Sequence, residues 1–478
     1  MNLYLTGHAF RYAVEQMLLI LFPQQRPVYP DGPAAGDSLY SRLTETSASA
    51  AVTADLTVDG RTAHEAMTLP ADAGDRDREQ AVKLTFFRAA VACTGVTPPW
   101  GAMTGVRPPK LAVRLMDEGR DRGQTDALLR DLYCVSAPRR RLCLDAAEAH
   151  IRARNALGPN ELSLYVGIPF CPSRCAYCSF VTHSVEKSLK LVQPFLTALL
   201  SEIEAAGEAL RRAGKTVRTL YIGGGTPTTL TAAQLDQLLA ALEASFDLSG
   251  CTERTVEAGR PDTVTEEKLA VMVRRGVDRV SVNPQTMQDA VLAAIGRRHT
   301  VADVERAVAM TREAGLPCLN MDLIAGLPGD SEAGFDASLD RLLELRPENI
   351  TIHTLALKRG SQLTLEQTPL PEASAVAAML DGADAKLRAA GYVPYYLYRQ
   401  KFMSGGFENV GWALPGYENL YNICMMEELH TILSVGGGGV TKLVSPGRIR
   451  RVCNPKYPYE YIERIDSLRA EKAALELP

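Results

Sequence analysis

Between residues 162 and 357 the chain alternates short runs rich in Val, Ile, Leu and Tyr with longer amphipathic stretches. No other feature restricts the fold as much. The strand-like runs fall at 162–168, 217–222, 254–258, 277–282, 318–324 and 349–355. The helix-like stretches between them fall at 189–213, 231–246, 265–275, 287–296 with 301–314, and 331–345. Leu235, Leu238, Leu239 and Leu242, for example, share one helical face. Strands separated by helices pair in parallel through right-handed crossovers. Six such units predict an α/β fold, a partial (β/α)6 barrel short of the closed eight. The site of such a fold lies at the carboxyl ends of its strands.

The flanks differ. Residues 1–158 predict an N-terminal α+β extension: "TADLTVDGRTAHEAMTL" reads as a hairpin turning at Asp59–Gly60, and helical patterns follow near 76–92, 109–133 and 137–156. "NALGPNE" at 155–161 is the expected boundary. The barrel then occupies 159–365, and 366–478 is expected as a mostly helical C-terminal domain. That last block has a helix at 372–390, the aromatic strand "GYVPYYLYRQK", the glycine-rich "SVGGGGVTK" and a helix near 457–473. The first residues carry an apolar tail interrupted by His8, Arg11 and Glu15, so they read as a folded segment and not a signal peptide. The formal charge of −4 argues against nucleic acid. No apolar run of about 18 residues predicts a membrane span.

The strongest chemical signal is "LYVGIPFCPSRCAYCSF", Leu164 to Phe180, directly after the first strand. It places Cys171, Cys175 and Cys178 at spacings of four and three. The other cysteines are scattered singly, as expected of small buried residues in a reducing cytoplasm. Thiolates in such a cluster ligate zinc or iron–sulfur centres. Structural zinc closes four protein ligands, and an ordinary iron–sulfur site uses four cysteines. Here no second C-x-x-C pair exists. The triplet best fits a [4Fe–4S] cluster with one iron left open to a small molecule. Further distinctive residues fall on the same rim: Gly223–Thr226 after the second strand, Glu257 ending the third, Gln285 after the fourth and Asp322 late in the fifth.

C-x-x-x-C-x-x-C after a first barrel strand, with Tyr177 before the last cysteine, resembles the radical S-adenosylmethionine signature. "YVGIPFC", "YIGGGTPT", "TVEAG", "VSVNPQTM" and "MDLIAGLPGD" together resemble the oxygen-independent coproporphyrinogen III oxidase family. "GVRPPK", "TIHTLALKRGS", "YYLYRQK" and "ENVGWALPG" resemble its long HemZ branch, which also has an N-terminal extension. The resemblance implies that the open iron binds the methionine portion of S-adenosylmethionine. Reductive cleavage then yields a 5′-deoxyadenosyl radical. Tyr165, Tyr177, Gly224, Gly225, Thr226, Glu257, Gln285, Arg297, Asp322, Ala356 and Val440 are implied as cosubstrate contacts. Arg297 would face the methionine carboxylate. Phe180 stands where the HemN branch carries a further cysteine, as in the haem-trafficking HemW branch, and Gly167 where HemN has His.

The implied reaction is oxidative decarboxylation of coproporphyrinogen III to protoporphyrinogen IX in haem biosynthesis. It requires no side-chain acid–base pair. The implied partners are the porphyrinogen and an unidentified reductase or ferredoxin-type electron donor. Arg399, Lys401 and Arg359 are candidate propionate clamps, with Arg107 and Lys110 in reserve, and Tyr395, Tyr396, Tyr398 and Trp412 candidate apolar walls. The alternatives are a haem-binding chaperone and a radical haem-modifying enzyme.

Overall fold

A computed structural model describes residues 1–178, 183–356, 361–366, 368–400 and 406–478. The chain divides into two compact units, 1–144 with 399–407, and 145–398 with 408–478. The helix Ala137–Ala156 carries the chain from the first to the second.

In the first unit, Asn2–Thr6 pairs in parallel with Ser38–Glu45, and Ser49–Val58 and Arg61–Pro70 continue the sheet antiparallel. Asp59 and Gly60 both take positive φ, at 49° and 75°, as the predicted two-residue hairpin turn requires. Ser49–Val58 shows why this sheet has one wet face: Ala50, Val52, Ala54, Leu56 and Val58 are buried in strict alternation. The helices Arg11–Leu21 and Asp75–Thr94 supply the facing core, including Val14, Met17, Leu84 and Phe86. The single helix expected at 109–133 is two, Pro108–Asp117 and Arg122–Asp131. Gly119 at φ 91° ends the first, and Asp121 starts the second with a capping box to Gln124.

The second unit is built on one sheet. Glu161–Ile168, Thr216–Gly224, Glu253–Glu257, Arg279–Ser281, Cys318–Ala325 and Asn349–Thr354 lie side by side in chain order, all parallel. This is the expected six-strand α/β partial barrel. Residues 366–478, expected as a mostly helical C-terminal domain, keep that helical region and also add strands to this sheet at both edges. Glu408–Ala413 joins antiparallel beside Asn349–Thr354, followed by Val393–Arg399. At the other edge Ile432–Gly436 joins parallel beside Glu161–Ile168, then Val440–Ser445 and Arg448–Cys453. The block keeps its helices too, Ala373–Ala389, Leu420–Glu427, Pro458–Glu463 and Ile465–Ala473. Among the described residues no helix is long and apolar enough to cross a membrane.

One face of the barrel strands is apolar and fully covered: Leu164, Val166, Ile222, Val256, Leu319, Leu323 and Ile352 are buried, and Phe195, Leu239 and Leu339 from the surrounding helices are buried with them. The alternate face is polar and tiered. Arg279, Glu253, Cys318 and Asn349 form the tier at the amino ends. Arg279 Nη1 donates to Cys318 Sγ at 2.8 Å, and its Nη2 lies 3.4 Å from Glu253 Oε2. Glu253 also accepts the backbone N–H groups of Leu420 (2.9 Å) and Tyr421 (3.2 Å). A carboxylate at a helix N-terminus is electrostatically favoured, so the helix Leu420–Glu427 is seated there. Ser163, Thr219, Ser281, Asn320 and Thr351 make the middle tier through hydroxyl and amide bonds. The tier at the carboxyl ends carries the candidate site.

Candidate active site

The cysteine loop leaves the first barrel strand through the short strand Phe170–Cys171. Its backbone is pinned between the cysteines: Ala176 N–H donates to Ile295 O (3.0 Å), and Ala176 O accepts from Leu363 N–H (3.3 Å). Ala176 and Tyr177 pack into an apolar cluster with Val291, Ile295, Ile324, Leu327, Leu355 and Leu363. Cys171, Cys175 and Cys178 are all partly exposed, unlike the buried Cys93, Cys143, Cys318 and Cys424. Among the described residues no three His, Cys, Asp or Glu side chains converge as a single-metal site. A cubane cluster takes one thiolate per iron, so its ligands stand around it and not about one point.

The glycine motif lies against this loop. Gly225 N–H donates to Ile168 O and Thr226 N–H to Phe170 O, both at 2.7 Å. A Cβ on Gly225 would stand 2.4 Å from Phe170 O, so only glycine permits this approach. Thr226 Oγ1 lies 3.5 Å from Cys171 Sγ. Gly224 has φ 109°, and its N–H donates to Glu257 Oε2 at 3.2 Å.

Glu257 is the hub of the rim. Its Oε1 accepts from Tyr221 Oη at 2.5 Å. Tyr221 stacks on Tyr421 at 4.4 Å, and Tyr165 stacks on both at 6.3 and 6.2 Å. Asp322 receives a bond from Asn320 Nδ2 (2.9 Å) and lies 3.6 Å from His353 Nε2. Gln285 is held at φ 72°, a strained conformation for a side chain of its kind, by two backbone bonds to the fifth strand. Ala356 is partly exposed just past the sixth strand, and Val440 opens the strand Val440–Ser445 directly after the glycine run.

Burial pushes the Glu257 carboxyl up to about 7; Tyr221 opposes the shift, Asp322 adds to it, and Gly224 and His353 oppose it. Between the unperturbed 4.5 and about 7, the folded protein keeps a proton that the unfolded chain has lost. Its stability therefore falls as pH rises through that window. Glu257→Gln is expected to flatten the fall, by roughly 1–3 kcal/mol at pH 8. Urea unfolding of both proteins at pH 5 and pH 8 checks this. Parallel losses in wild type and variant would show that the carboxyl is not held protonated.

Two buried guanidiniums face the cysteine loop. Arg297 donates to Asn283 O (2.6 Å), Gly259 O (3.2 Å) and Tyr177 Oη (3.3 Å). Arg260 donates to Ser173 Oγ (3.0 Å) and reaches Cys175 Sγ at 3.9 Å. Several buried polar atoms here have no partner: Arg297 Nε, Arg260 Nη2, Asn283 Oδ1 and both ring nitrogens of His299. Burial, then Arg297 and Arg260, hold His299 neutral, its pKa pushed down to about 3. Orphaned buried polar atoms are costly. Their concentration beside three partly exposed thiols and a glycine cradle fits a bound cluster and a polar cosubstrate.

Sequence reasoning missed Tyr221, His353, Tyr421, Arg260, Asn283 and His299. The first two were detectable from strand phase, since Tyr221 pairs with Tyr165, and His353 alternates with Thr351 on the sixth strand. The expected substrate side is arranged otherwise. Lys401 and Arg359 lie outside the described residues. Arg399 is buried, with Nη1 bonded to Met103 O (2.6 Å), Nε to Gly406 O (2.9 Å) and its guanidinium 5.6 Å from the Trp100 ring. Its fork is committed to backbone carbonyls, so this arrangement lends the propionate-clamp expectation no support. Arg399→Ala is expected to destabilise the first unit by about 1.5–3 kcal/mol per lost charge-assisted bond. Faster proteolysis within 100–107 would report it; an unchanged cleavage rate would count against this anchoring role. Tyr395, Tyr396 and Trp412 are buried core residues, and Gly411 is glycine because the Tyr396 ring occupies the Cβ position.

The fold and rim together define a class. Residues 165–342 match the Radical SAM superfamily. The chain is 40% identical over 401 residues to the oxygen-independent coproporphyrinogen-III oxidase-like protein HemZ of Bacillus subtilis (strain 168), covering 82% of this chain and 80% of that protein. It therefore belongs to the HemZ family of radical SAM proteins. It is also 28% identical over 303 residues to the haem chaperone HemW of Escherichia coli (strain K12), covering 63% of this chain and 76% of that one. Among solved structures, the coproporphyrinogen III oxidase HemN of Escherichia coli shares the fold, with a TM-score of 0.54 at 24% identity over 68% of this chain and 73% of that one.

Proposed function

We propose that the protein decarboxylates two propionates of coproporphyrinogen III to give protoporphyrinogen IX without oxygen. The observation that carries this reading is the convergence of the cysteine loop, the glycine cradle and Glu257 on one rim, in a chain whose relative is named oxidase-like. When bound, the cluster and S-adenosylmethionine supply one-electron chemistry. The protein's own residues hold and orient. Cys171, Cys175 and Cys178 ligate the cluster. Gly224, Gly225 and Thr226 present backbone polar groups to the cosubstrate. Asp322 and Arg297 supply charge, Glu257 a buried carboxyl, Tyr165 and Tyr177 line the cosubstrate pocket, and Gln285, Ala356 and Val440 complete it. Each propionate gives one hydrogen atom from its β-carbon to the 5′-deoxyadenosyl group that S-adenosylmethionine would supply, releases CO₂ and passes one electron to an external electron acceptor, leaving a vinyl group. An external reductase or ferredoxin-type protein delivers electrons to the cluster, and the cell's cytoplasm is the expected setting.

A chaperone reading is favoured by the 28% identity to HemW. Against it, His430, the C-terminal block's one histidine, is buried and bonded through Nε2 to Ser163 Oγ at 2.8 Å, so it is not displayed to a haem. The test is an anaerobic assay of reconstituted protein with S-adenosylmethionine, a chemical reductant and coproporphyrinogen III. Formation of protoporphyrinogen IX supports the oxidase. Stoichiometric haem binding without turnover would replace it with the chaperone.

A further inference from the structure

The first unit encloses a cavity of about 310 Å³ that the rim chemistry does not use. Its walls come from the helix Asp75–Thr94, the segment 102–107, the helix Pro108–Asp117 and Tyr133. Four cations line it, Arg76, Lys83, Arg107 and Arg114, against one carboxylate, Glu79. Glu79 is already ion-paired with Lys83 on the same helix. The whole chain has a net charge of −4, so this concentration of positive charge runs against its background. Two N–H donors among the lining residues, Gln80 Nε2 and Arg114 Nε, are buried with no hydrogen-bond partner. Arg114 forms an exposed ion pair with Glu118 one turn on, whose carboxylate, 3.8 Å from Nε, is beyond hydrogen-bond length. Buried donors of this kind are normally satisfied.

The wall is also braced. Arg399 joins this unit from far along the chain and grips the segment 102–107 twice, side chain to Met103 O (2.6 Å) and backbone N–H to Val106 O (2.7 Å). The volume lies at the lower end of small-molecule pockets. Three guanidiniums, one each from the helix Asp75–Thr94, the segment 102–107 and the helix Pro108–Asp117, present planar forks, which match phosphate and carboxylate oxygens alike.

We propose that this cavity is a binding site for a small, multiply charged organic oxyanion, separate from the radical site. Arg107 and Arg114 grip the anion from one side, Arg76 and Lys83 from the other, and Gln80 donates to it. The shared chemistry is the oxyanion; phosphate and carboxylate are its two sources.

The experiment is titration calorimetry of the full-length protein at low salt, with pyrophosphate and with citrate as probes. Arg107→Ala, Arg114→Ala and, as an exposed control, Arg469→Ala are compared with wild type, and folding is checked by circular dichroism. One-site binding is expected for at least one probe. Each cavity substitution should weaken it roughly ten- to a hundredfold, while Arg469→Ala leaves it unchanged. Added salt should weaken it too. Pyrophosphate alone binding assigns a phosphate ligand, and citrate alone a carboxylate; both binding assigns selection by charge. Arg114→Lys keeps the charge and loses the fork, so it tests the site should Arg114→Ala misfold: weakened binding is expected. Failure of both probes to bind in the millimolar range, or binding indifferent to all the cavity substitutions, overturns the proposal.

Discussion

Alanine at any one of Cys171, Cys175 or Cys178 is expected to leave the anaerobically reconstituted protein with little iron and no stable visible absorbance. With one iron already committed to a small molecule, the cluster has no spare protein thiolate to lose. Asp262, a described carboxylate near the loop, is already paired with Arg260 at 3.2 Å. The same change at Cys93 or Cys424 should leave iron content alone, because those thiols are buried elsewhere. A fully loaded cluster in any of the three loop variants would refute the assignment. Secondary structure by circular dichroism separates loss of cluster from loss of fold.

The second large effect is on stability. Glu202, in the helix Val185–Arg212, is fully buried, and its carboxylate collects four contacts. It accepts from Tyr461 Oη (2.5 Å), Gly436 N–H (2.8 Å) and Asn454 Nδ2 (2.8 Å), and lies 3.6 Å from the buried Lys472 Nζ. It thereby ties three remote segments to one helix, including the start of the glycine run. That run must be placed closely: Gly436 has φ 86°, a Cβ there would meet Gly167 O at 2.3 Å, and Gly437 N–H donates to the same carbonyl at 3.0 Å. Glu202→Ala would take the counter-charge from the buried Lys472, which keeps its bonds to Ser434 O (2.6 Å) and Thr441 Oγ1 (3.1 Å), and would unpair the Tyr461 hydroxyl and the Gly436 N–H. Removing one partner of a buried pair costs about 3–5 kcal/mol. Denaturant unfolding of Glu202→Ala and Glu202→Gln should show a large loss in the first and a smaller one in the second, since the amide keeps an acceptor. A loss under about 1 kcal/mol in Glu202→Ala would mean that solvent reaches the site.

Neither Glu202 nor Tyr421 was legible in the sequence, and the reason is physical. Periodicity reports what a segment is and which of its faces turns inward. It does not report which remote segment meets that face. Thus the strand phases put Glu257, Asp322 and the glycines on one rim without any structure, and Asp59–Gly60 announced its own turn. Tyr421 reaches Tyr165 and Tyr221 only because Glu253, at the far tier, holds its helix by the N-terminus. Arg399 looked like an exposed clamp because its neighbours in sequence are aromatic and basic. In space its side chain bonds two carbonyls, that of Gly406 nearby and that of Met103 far along the chain. The sheet edges that the C-terminal strands join could not be read for the same reason, since an edge strand's partner is invisible to local pattern. The interruption of 109–133 was readable: Gly119 and Asp121 are stop and start signals within three residues.

The account stands or falls on whether this rim removes hydrogen from a propionate. Coproporphyrinogen III deuterated at the propionate β-carbons should be incubated without oxygen with the reconstituted protein, S-adenosylmethionine and a reductant. The 5′-deoxyadenosine formed should then be examined by mass spectrometry. Deuterium in that nucleoside, together with protoporphyrinogen IX and CO₂, is the predicted result. Unlabelled 5′-deoxyadenosine beside intact substrate would contradict it.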